Sequence, residues 1–401
     1  MNVKNRVCVL SLNSGSSSLK FALYRMSTVE KLLLSGVISD INLKTYKFFA
    51  KDGNGQLLIN EHLNKLNRQG CIEKLFDWLD EHGIIKQINA VGHRIVHGGV
   101  KYRQPHLITP DLISDLNRLI LLAPEHLPQE LGVIKAIYER YPNLKQIACF
   151  DTAFHRTMPR IAQLYALPRK VYDESGIRYG FHGLSYEYIM QELRNENYTE
   201  IKNSRIIIAH LGNGASMTAI KDGKSIDTTM GFSPTGGLMM GTRSGDLDPG
   251  ILLYLTNEKS LSPSQISQMV NHQAGLLGVS EISSNMKVLL EKERYDHRAA
   301  EAVDLFCYQA KKHLGSLAAM LGGLDMLVFT GGIGENAPSV RQRICENMSI
   351  LGIQLDSLRN NSNKPVISAV DSSVTIRVMK TNEELMIARH THHLVQGMYN
   401  S

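Results

Sequence analysis

The sequence predicts an α/β protein built from two similar halves, and three stretches carry that prediction. Residues 7–24 run VCVLSLNSGSSSLKFALY, two apolar segments joined by six small residues. Residues 205–220, RIIIAHLGNGASMTAI, repeat that layout about half a chain later. Residues 325–336, DMLVFTGGIGEN, end a buried-strand pattern on a Gly-rich turn that leads into the polar helix APSVRQRICENM. Short apolar runs bounded by Gly and Ser read as strands, and a recurring strand–small loop–strand unit marks an internal duplication.

Taken in order, the first loop has two readings. A Gly/Ser turn between strands is ordinary hairpin chemistry. Asn13 before it and Lys20 after it also fit a phosphate loop, in which Ser16, Ser18, Lys20 and backbone N–H groups face an anion. Residues 71–82 and 111–122 show apolar spacings of three and four and read as packing helices. QIACFDTAFH (146–155) is an apolar run that ends at Asp151. After 205–220, a third strand, SIDTTM, follows the turn KDGK. Residues 299–322 form a long amphipathic stretch, and 382–395 read as a final helix. Trp78, Met239 and Met240 read as core. The GGIG turn suits a tight strand–helix connection as well as an anion site at a helix N-terminus.

Bulk properties narrow the class. The 401 residues exceed one ordinary core, so two domains are expected. No apolar stretch approaches the roughly 20 residues of a membrane span. The opening MNVKNR has no signal-peptide character, which points to a cytoplasmic protein. Five scattered cysteines, odd in number and without a CxxC pair, point to reduced thiols. The net charge of +6 is mild, and the absence of Lys/Arg runs with aromatic interleaving argues against nucleic acid.

Four stretches set charged or polar residues beside glycines or at strand ends: VGHRIVHGG (91–99), FDTAFHRTMP (150–159), YGFHGLS (179–185) and GLMMGTRSGDLDPG (237–250). Arg94 sits among apolar residues and Arg243 in a Gly-rich loop. Each is either half of a structural salt bridge or a partner for a bound anion. Asp151 is a metal-type carboxylate or a strand-end turn former. His182 has glycine on both sides of GFHG, which opens its ring to a ligand; a structural histidine is the alternative. His97, His126, His155 and His210 rank as structural. No HExxH, Cys/His cluster or GxSxG is present, which removes zinc-hydrolase and serine-triad readings. As a set these residues suit phosphoryl transfer, where positioning and charge neutralisation carry the rate. With no evident general base, a carboxylate acceptor fits better than an alcohol, because it is already ionised at pH 7.

At this point the sequence resembles the acetokinase family of acetate and propionate kinases. The matching stretches are LNSGSSSLKFAL, GHRIVHGG, LAPEHLP, FDTAFHRTMP, RYGFHGLS, HLGNGAS, GLMMGTRSGDLDPG, FTGGIGEN and TNEEL, in family order along essentially the whole chain. The resemblance implies the actin/hexokinase/sugar-kinase fold, two duplicated α/β domains around a hinged cleft. It implies an acyl-side domain of residues 1–150 plus 385–401 and a nucleotide-binding domain of residues 151–384. Asn13, Asp151 and Glu383 would arrange Mg²⁺ (with Mn²⁺ as the alternative ion) and phosphate. Arg94, His182 and Arg243 would hold the acyl group and the transferring phosphoryl. Val96, Leu122, Phe181 and Pro234 match the apolar acyl pocket. His210, Gly212, Asn213, Gly214, Gly332, Gly334 and Asn336 match the nucleotide side. The expected activity is reversible transfer of the ATP γ-phosphoryl to acetate by a homodimer, with propionate as the alternative acceptor and pyrophosphate as a more distant alternative donor.

Some positions depart from the family pattern. Asn285, Met286 and Lys287 stand on the nucleotide side, where an Asp, an apolar residue and an Arg commonly meet adenosine, which leaves looser nucleotide choice or, in the extreme, pyrophosphate use open beside ATP. Leu184 and Tyr186 replace the usual Thr and His, and Thr235-Gly236 replaces an apolar–Glu pair. Two other classes fit the residues less well. A non-catalytic actin-like scaffold would not need Asp151, Arg94, Arg243 and Glu383 together. A sugar kinase would want polar residues where Val96, Leu122 and Phe181 stand.

Overall fold

The computed structural model describes residues 7–15, 18–39, 45–64, 68–196 and 203–399. Ser16, assigned above to the first phosphate loop, lies outside the described residues. The chain divides into two compact units, Met1–Ala153 with Asn382–Ser401, and Phe154–Thr381.

In the first unit, strands β1 (Val7–Ser14), β2 (Ser18–Met26), β3 (Lys31–Ser39), β4 (Thr45–Asp52), β5 (Leu57–Asn64), β6 (Ala90–Ile95), β7 (His106–Leu107) and β8 (Lys145–Phe150) form one sheet. Its order is β5-β4-β3-β2-β1-β6-β8-β7. β1 runs antiparallel to β2 and parallel to β6, and β6 runs parallel to β8. All of β1 is buried, the reason it reads as a nearly unbroken apolar run. The helix Arg68–Glu81 turns Cys71, Ile72, Leu75, Phe76, Trp78 and Leu79 to the core, at the spacing of one helix face. There Trp78 meets Phe48 edge-on with ring centres 5.6 Å apart. The C-terminal helix Glu383–Tyr399 packs on β1 and β6. A methyl group at Gly92 would lie 2.2 Å from Thr391 Oγ1, so only glycine there lets the helix seat this close.

In the second unit, β9 (Arg205–Leu211), β10 (Ala215–Lys221), β11 (Lys224–Thr228), β12 (Met326–Thr330) and β13 (Thr375–Val378) form a sheet of order β11-β10-β9-β12-β13. β9 is antiparallel to β10 and parallel to β12, and β12 is parallel to β13. This repeats the β3-β2-β1-β6-β8 segment of the first unit in both order and direction, so the duplication read from the two small loops extends to the whole sheet core. The 25-residue helix His297–Leu321 starts on an Asp296 cap and stops at Gly322, whose φ of 71° suits a residue without a Cβ.

The structure adjusts several sequence expectations. The stretch 111–122 is not one helix: Pro110–Arg118 is α-helical, and Leu119–Leu122 tightens to a 3₁₀ turn. GGIGEN is itself a short helical segment, Gly331–Asn336, not a plain turn, and Pro338–Cys345 follows it as a separate helix. β3, β4 and β5 were not read from the sequence at all. All five cysteines are buried free thiols. No described helix is long and apolar enough to cross a membrane.

Candidate active site

Parallel pairing builds the first cluster. Ile95 of β6 pairs with Phe150 of β8, so the carboxyl ends of the two strands finish side by side, the usual location of ligand sites in such sheets. Arg94 from one end then faces Asp151 just beyond the other. Arg94 Nε donates to Asp151 Oδ1 at 3.1 Å and to Oδ2 at 3.0 Å, and Nη2 donates to Oδ2 at 2.5 Å. The Asp151 side chain is fully buried, and that of Arg94 is 13% exposed. On β1, Asn13 Nδ2 donates to Glu383 Oε2 at 2.9 Å and to Glu384 Oε1 at 3.2 Å, while its Oδ1 accepts from Arg94 Nη1 at 3.4 Å. Glu383 Oε2 also lies 3.9 Å from Arg94 Nε. Burial works against the Arg94 charge, but the Asp151 and Glu383 carboxylates overcome it and hold the guanidinium pKa above its ordinary value. Four residues singled out from the sequence, Asn13, Arg94, Asp151 and Glu383, thus form one connected group.

The neighbouring acyl-pocket candidate Val96 is buried, and Leu122 is half-buried. The Val96 N–H donates to the Glu130 carboxyl, at 3.1 Å to Oε2. Burial pushes the Glu130 carboxyl up to about 8, against the opposing pull of Arg94 and of the Val96 N–H. Sequence reading missed Glu130. Its signal was an acid on the apolar stripe Leu127, Ile134, Ile137 of the helix Leu127–Arg140. Arg68 was missed too; it donates to Ser14 Oγ at 2.8 Å and to the Gly15 carbonyl at 2.7 Å. On either side of the first small loop β1 and β2 pair, with Gly15 N–H donating to the Ser18 carbonyl and Lys20 exposed opposite Asn13.

The second cluster lies in the other unit. His182 adopts φ 60°, ψ 23° at the N-cap of the helix Gly183–Asn195. Its ring stacks on His210 with centres 4.3 Å apart. His182 Nδ1 lies 2.9 Å from Ser216 Oγ, and His210 Nδ1 lies 2.8 Å from Ser185 Oγ. A methyl group at Gly214 would sit 3.1 Å from His182 Nε2 and 3.7 Å from Arg243 Nη1, so His182, Gly214 and Arg243 share one notch. Arg243 Nη1 donates to the Pro234 carbonyl at 3.3 Å. Gly212 and Asn213 complete that loop, and the Gly241 N–H donates to the Asn213 carbonyl. Phe181 is buried, its carbonyl accepting from buried His155, and Pro234 is half-buried.

β9 and β12 end together, with Thr330 paired to His210. That register sets the Gly331–Asn336 segment beside the Gly212–Gly214 loop. Asn336 Nδ2 donates to the Gly332 carbonyl at 2.9 Å, and Gly334 is buried. Glu335, also missed from the sequence, accepts from the Gly331 and Thr381 N–H groups. Asn285 caps the helix Met286–Lys292 by accepting from the Lys287 N–H at 2.9 Å, while Met286 is buried and Lys287 exposed.

A five-strand core of one order and direction, repeated in both sheets with polar side chains at the ends of its parallel strands, is the duplicated α/β architecture of the actin/hexokinase/sugar-kinase fold. The sequence profile of the acetokinase family matches residues 8–389. A Rhodopseudomonas palustris acetate kinase is 44% identical over 395 residues, covering 97% of this chain and 98% of that protein. The crystal structure of Porphyromonas gingivalis acetate kinase superposes with a TM-score of 0.86 at 39% identity, covering 97% of this chain and all of that one. A Francisella tularensis propionate kinase structure gives 0.90 at 38% identity, over 96% of this chain and 99% of that one. The chain belongs to the acetokinase family and is an enzyme of the kinase class.

Proposed function

We propose that the chain transfers the γ-phosphoryl group of ATP to acetate, reversibly, giving acetyl phosphate and ADP. The observation that carries this reading is the Asn13–Arg94–Asp151–Glu383 group, a fixed cation bordered by oxygen donors at the ends of parallel strands. The names of the relatives support the acceptor. An acetate oxygen attacks the γ-phosphorus in line as the bond to the ADP oxygen breaks. Acetate, with a pKa of about 4–5, arrives ionised and gives up no proton, so the protein must mainly offset repulsion between two anions. Arg94 serves the acetate carboxylate, and Arg243 with His182 serves the transferring phosphoryl. Val96 and Leu122 of the first unit and Phe181 and Pro234 of the second are the apolar residues assigned to the methyl group. Lys20, Ser18, the 212–214 loop and Gly332, Gly334 and Asn336 serve the nucleotide, with Asn285, Met286 and Lys287 toward the adenosine.

Asn13, Asp151 and Glu383 suit Mg²⁺: all offer oxygen, and Mg²⁺ takes one or two carboxylates and completes its shell with phosphate and water. Among the described residues no three His, Cys, Asp or Glu side chains gather into a metal site. When bound, the ion neutralises β- and γ-phosphate charge. The reading includes a homodimer, supported by Ile251, Leu253 and Tyr254, all exposed on one helix of the second unit.

A second reading, propionate as acceptor, is favoured by the propionate kinase likeness. An ADP-release assay with acetate, propionate and glycerol, paired with acetyl phosphate formation and phosphate release when pyrophosphate replaces ATP, tests these readings. Acetate-dependent ADP release is expected to exceed the propionate rate. Release with glycerol alone would overturn the carboxylate assignment, and phosphate transfer only from pyrophosphate would overturn the donor.

A further inference from the structure

His182 is one end of a three-residue chain of hydrogen bonds. Its Nδ1 lies 2.9 Å from Ser216 Oγ, and the same oxygen is hydrogen-bonded to the Tyr186 hydroxyl. Tyr186 stands one helical turn after His182, and Ser216 projects from β10, where it pairs with His210. Tyr186 and Ser216 are both fully buried. The phenol ring packs between Phe154 and His155, at centre distances of 6.0 and 5.5 Å.

The direction of these bonds follows from acidity. A phenol hydroxyl is far more acidic than an alkyl one, and its oxygen lone pair is partly drawn into the ring. Tyr186 therefore donates and Ser216 accepts. Ser216 has a single proton, which it then gives to His182 Nδ1. A neutral imidazole carries one N–H, and here it falls on Nε2. Nε2 borders the Gly214 notch, where Arg243 Nη1 also lies. An N–H donor beside a guanidinium suits an oxyanion. The opposite tautomer would present a lone pair there and repel it. His210 is wired the other way: Ser185 donates to Thr381 Oγ1 at 2.8 Å, so the proton between Ser185 and His210 belongs to His210 Nδ1.

We infer that Tyr186 is a positioning residue that acts through Ser216 to hold His182 as the Nε2–H tautomer, making it a hydrogen-bond donor to an anionic oxygen of the substrates. This rests on the phosphoryl-transfer reading for its catalytic consequence, but not for the tautomer itself. Tyr186→Phe keeps the ring and removes the donor. Tyr186→His returns a ring N–H to the same region.

The test is ¹⁵N NMR of histidine-labelled full-length protein together with steady-state kinetics. The wild type is expected to show His182 with a protonated Nε2 and an unprotonated Nδ1. Tyr186→Phe and Ser216→Ala are each expected to mix the tautomers. Their kcat is expected to fall by about 10- to 100-fold, the range seen when an outer hydrogen-bond partner of a working histidine is lost. KM for ATP should stay within about twofold, Tyr186→His should recover most of kcat, and the double variant should be no slower than Ser216→Ala alone. An unchanged tautomer and kcat in Tyr186→Phe, or additive losses in the double variant, would overturn the inference. If Tyr186→Phe does not fold, Ser216→Ala with an unchanged His182 tautomer overturns it equally. A wild-type protein without transferase activity sinks the functional reading alone, because the NMR result needs no turnover.

Discussion

Replacing Glu130 by Gln isolates the cost of a buried acid. The Glu130 side chain accepts from the Val96 N–H and is almost wholly enclosed. Burial raises its carboxyl from an ordinary 4.5 to about 8. Between those values the folded chain keeps a proton that the unfolded chain has released. Stability from this group is therefore full below pH 4.5 and is lost as pH rises through about 8. At about 1.36 kcal/mol per pH decade, the gap sets a ceiling of about 5 kcal/mol. Glutamine keeps an oxygen for the Val96 N–H and does not ionise. Other titrating groups, such as buried His93, cancel in the difference between the two proteins. The assay is calorimetric Tm from pH 5 to pH 9 for both. Even half the ceiling is about 5 °C, at about 2–4 °C per kcal/mol for a unit of about 150–250 residues. The variant should gain on the wild type steadily as pH rises. A Tm difference that stays constant across the range would refute the argument that Glu130 is buried as the neutral acid.

Arg94→Ala should lower kcat by at least about 100-fold. It should also destabilise the fold by about 3–5 kcal/mol, because the buried Asp151 carboxylate would lose its guanidinium partner; urea unfolding reads the second effect. Gly214→Ala should reduce kcat by about threefold, since the added methyl sits 3.1 Å from His182 Nε2 and pushes it by a few tenths of an ångström, where a misplacement of about 1 Å costs about 100-fold. Val96→Ala should raise the propionate-to-acetate ratio of kcat/KM by about 10-fold, the scale of one methylene in an apolar pocket.

The sequence reading reached furthest where one strand or loop carries its own pattern. β1 and β9 are buried on both faces and show as apolar runs, and their small loops recur, so the duplicated α/β fold was visible in advance. β4 and β5 were not, because TYKFFAKD and LLINEHLN mix Lys, Asn and His with apolar residues on strands toward one edge of the sheet. The helix 111–122 was read as continuous because its apolar spacing continues into the 3₁₀ turn. Within the candidate site, side-chain types were legible but partners were not. Asn13 and Glu383 are 370 residues apart, and only the resemblance to a known family joined them before the structure did. Glu130 meets Val96 across 34 residues, and Ser216 reaches His182 only through the register of β10. Asn285 illustrates a further limit: its type is compatible with a ribose contact, yet its oxygen caps a helix.

In the proposed reaction, fixed cations let a phosphoryl group pass to an already ionised carboxylate. The most direct test is kcat for acetate-dependent acetyl phosphate formation by Arg243→Ala, with the product trapped by hydroxylamine. A fall of at least about 100-fold from a wild-type rate that requires acetate is predicted. A rate close to wild type in the variant would contradict the account.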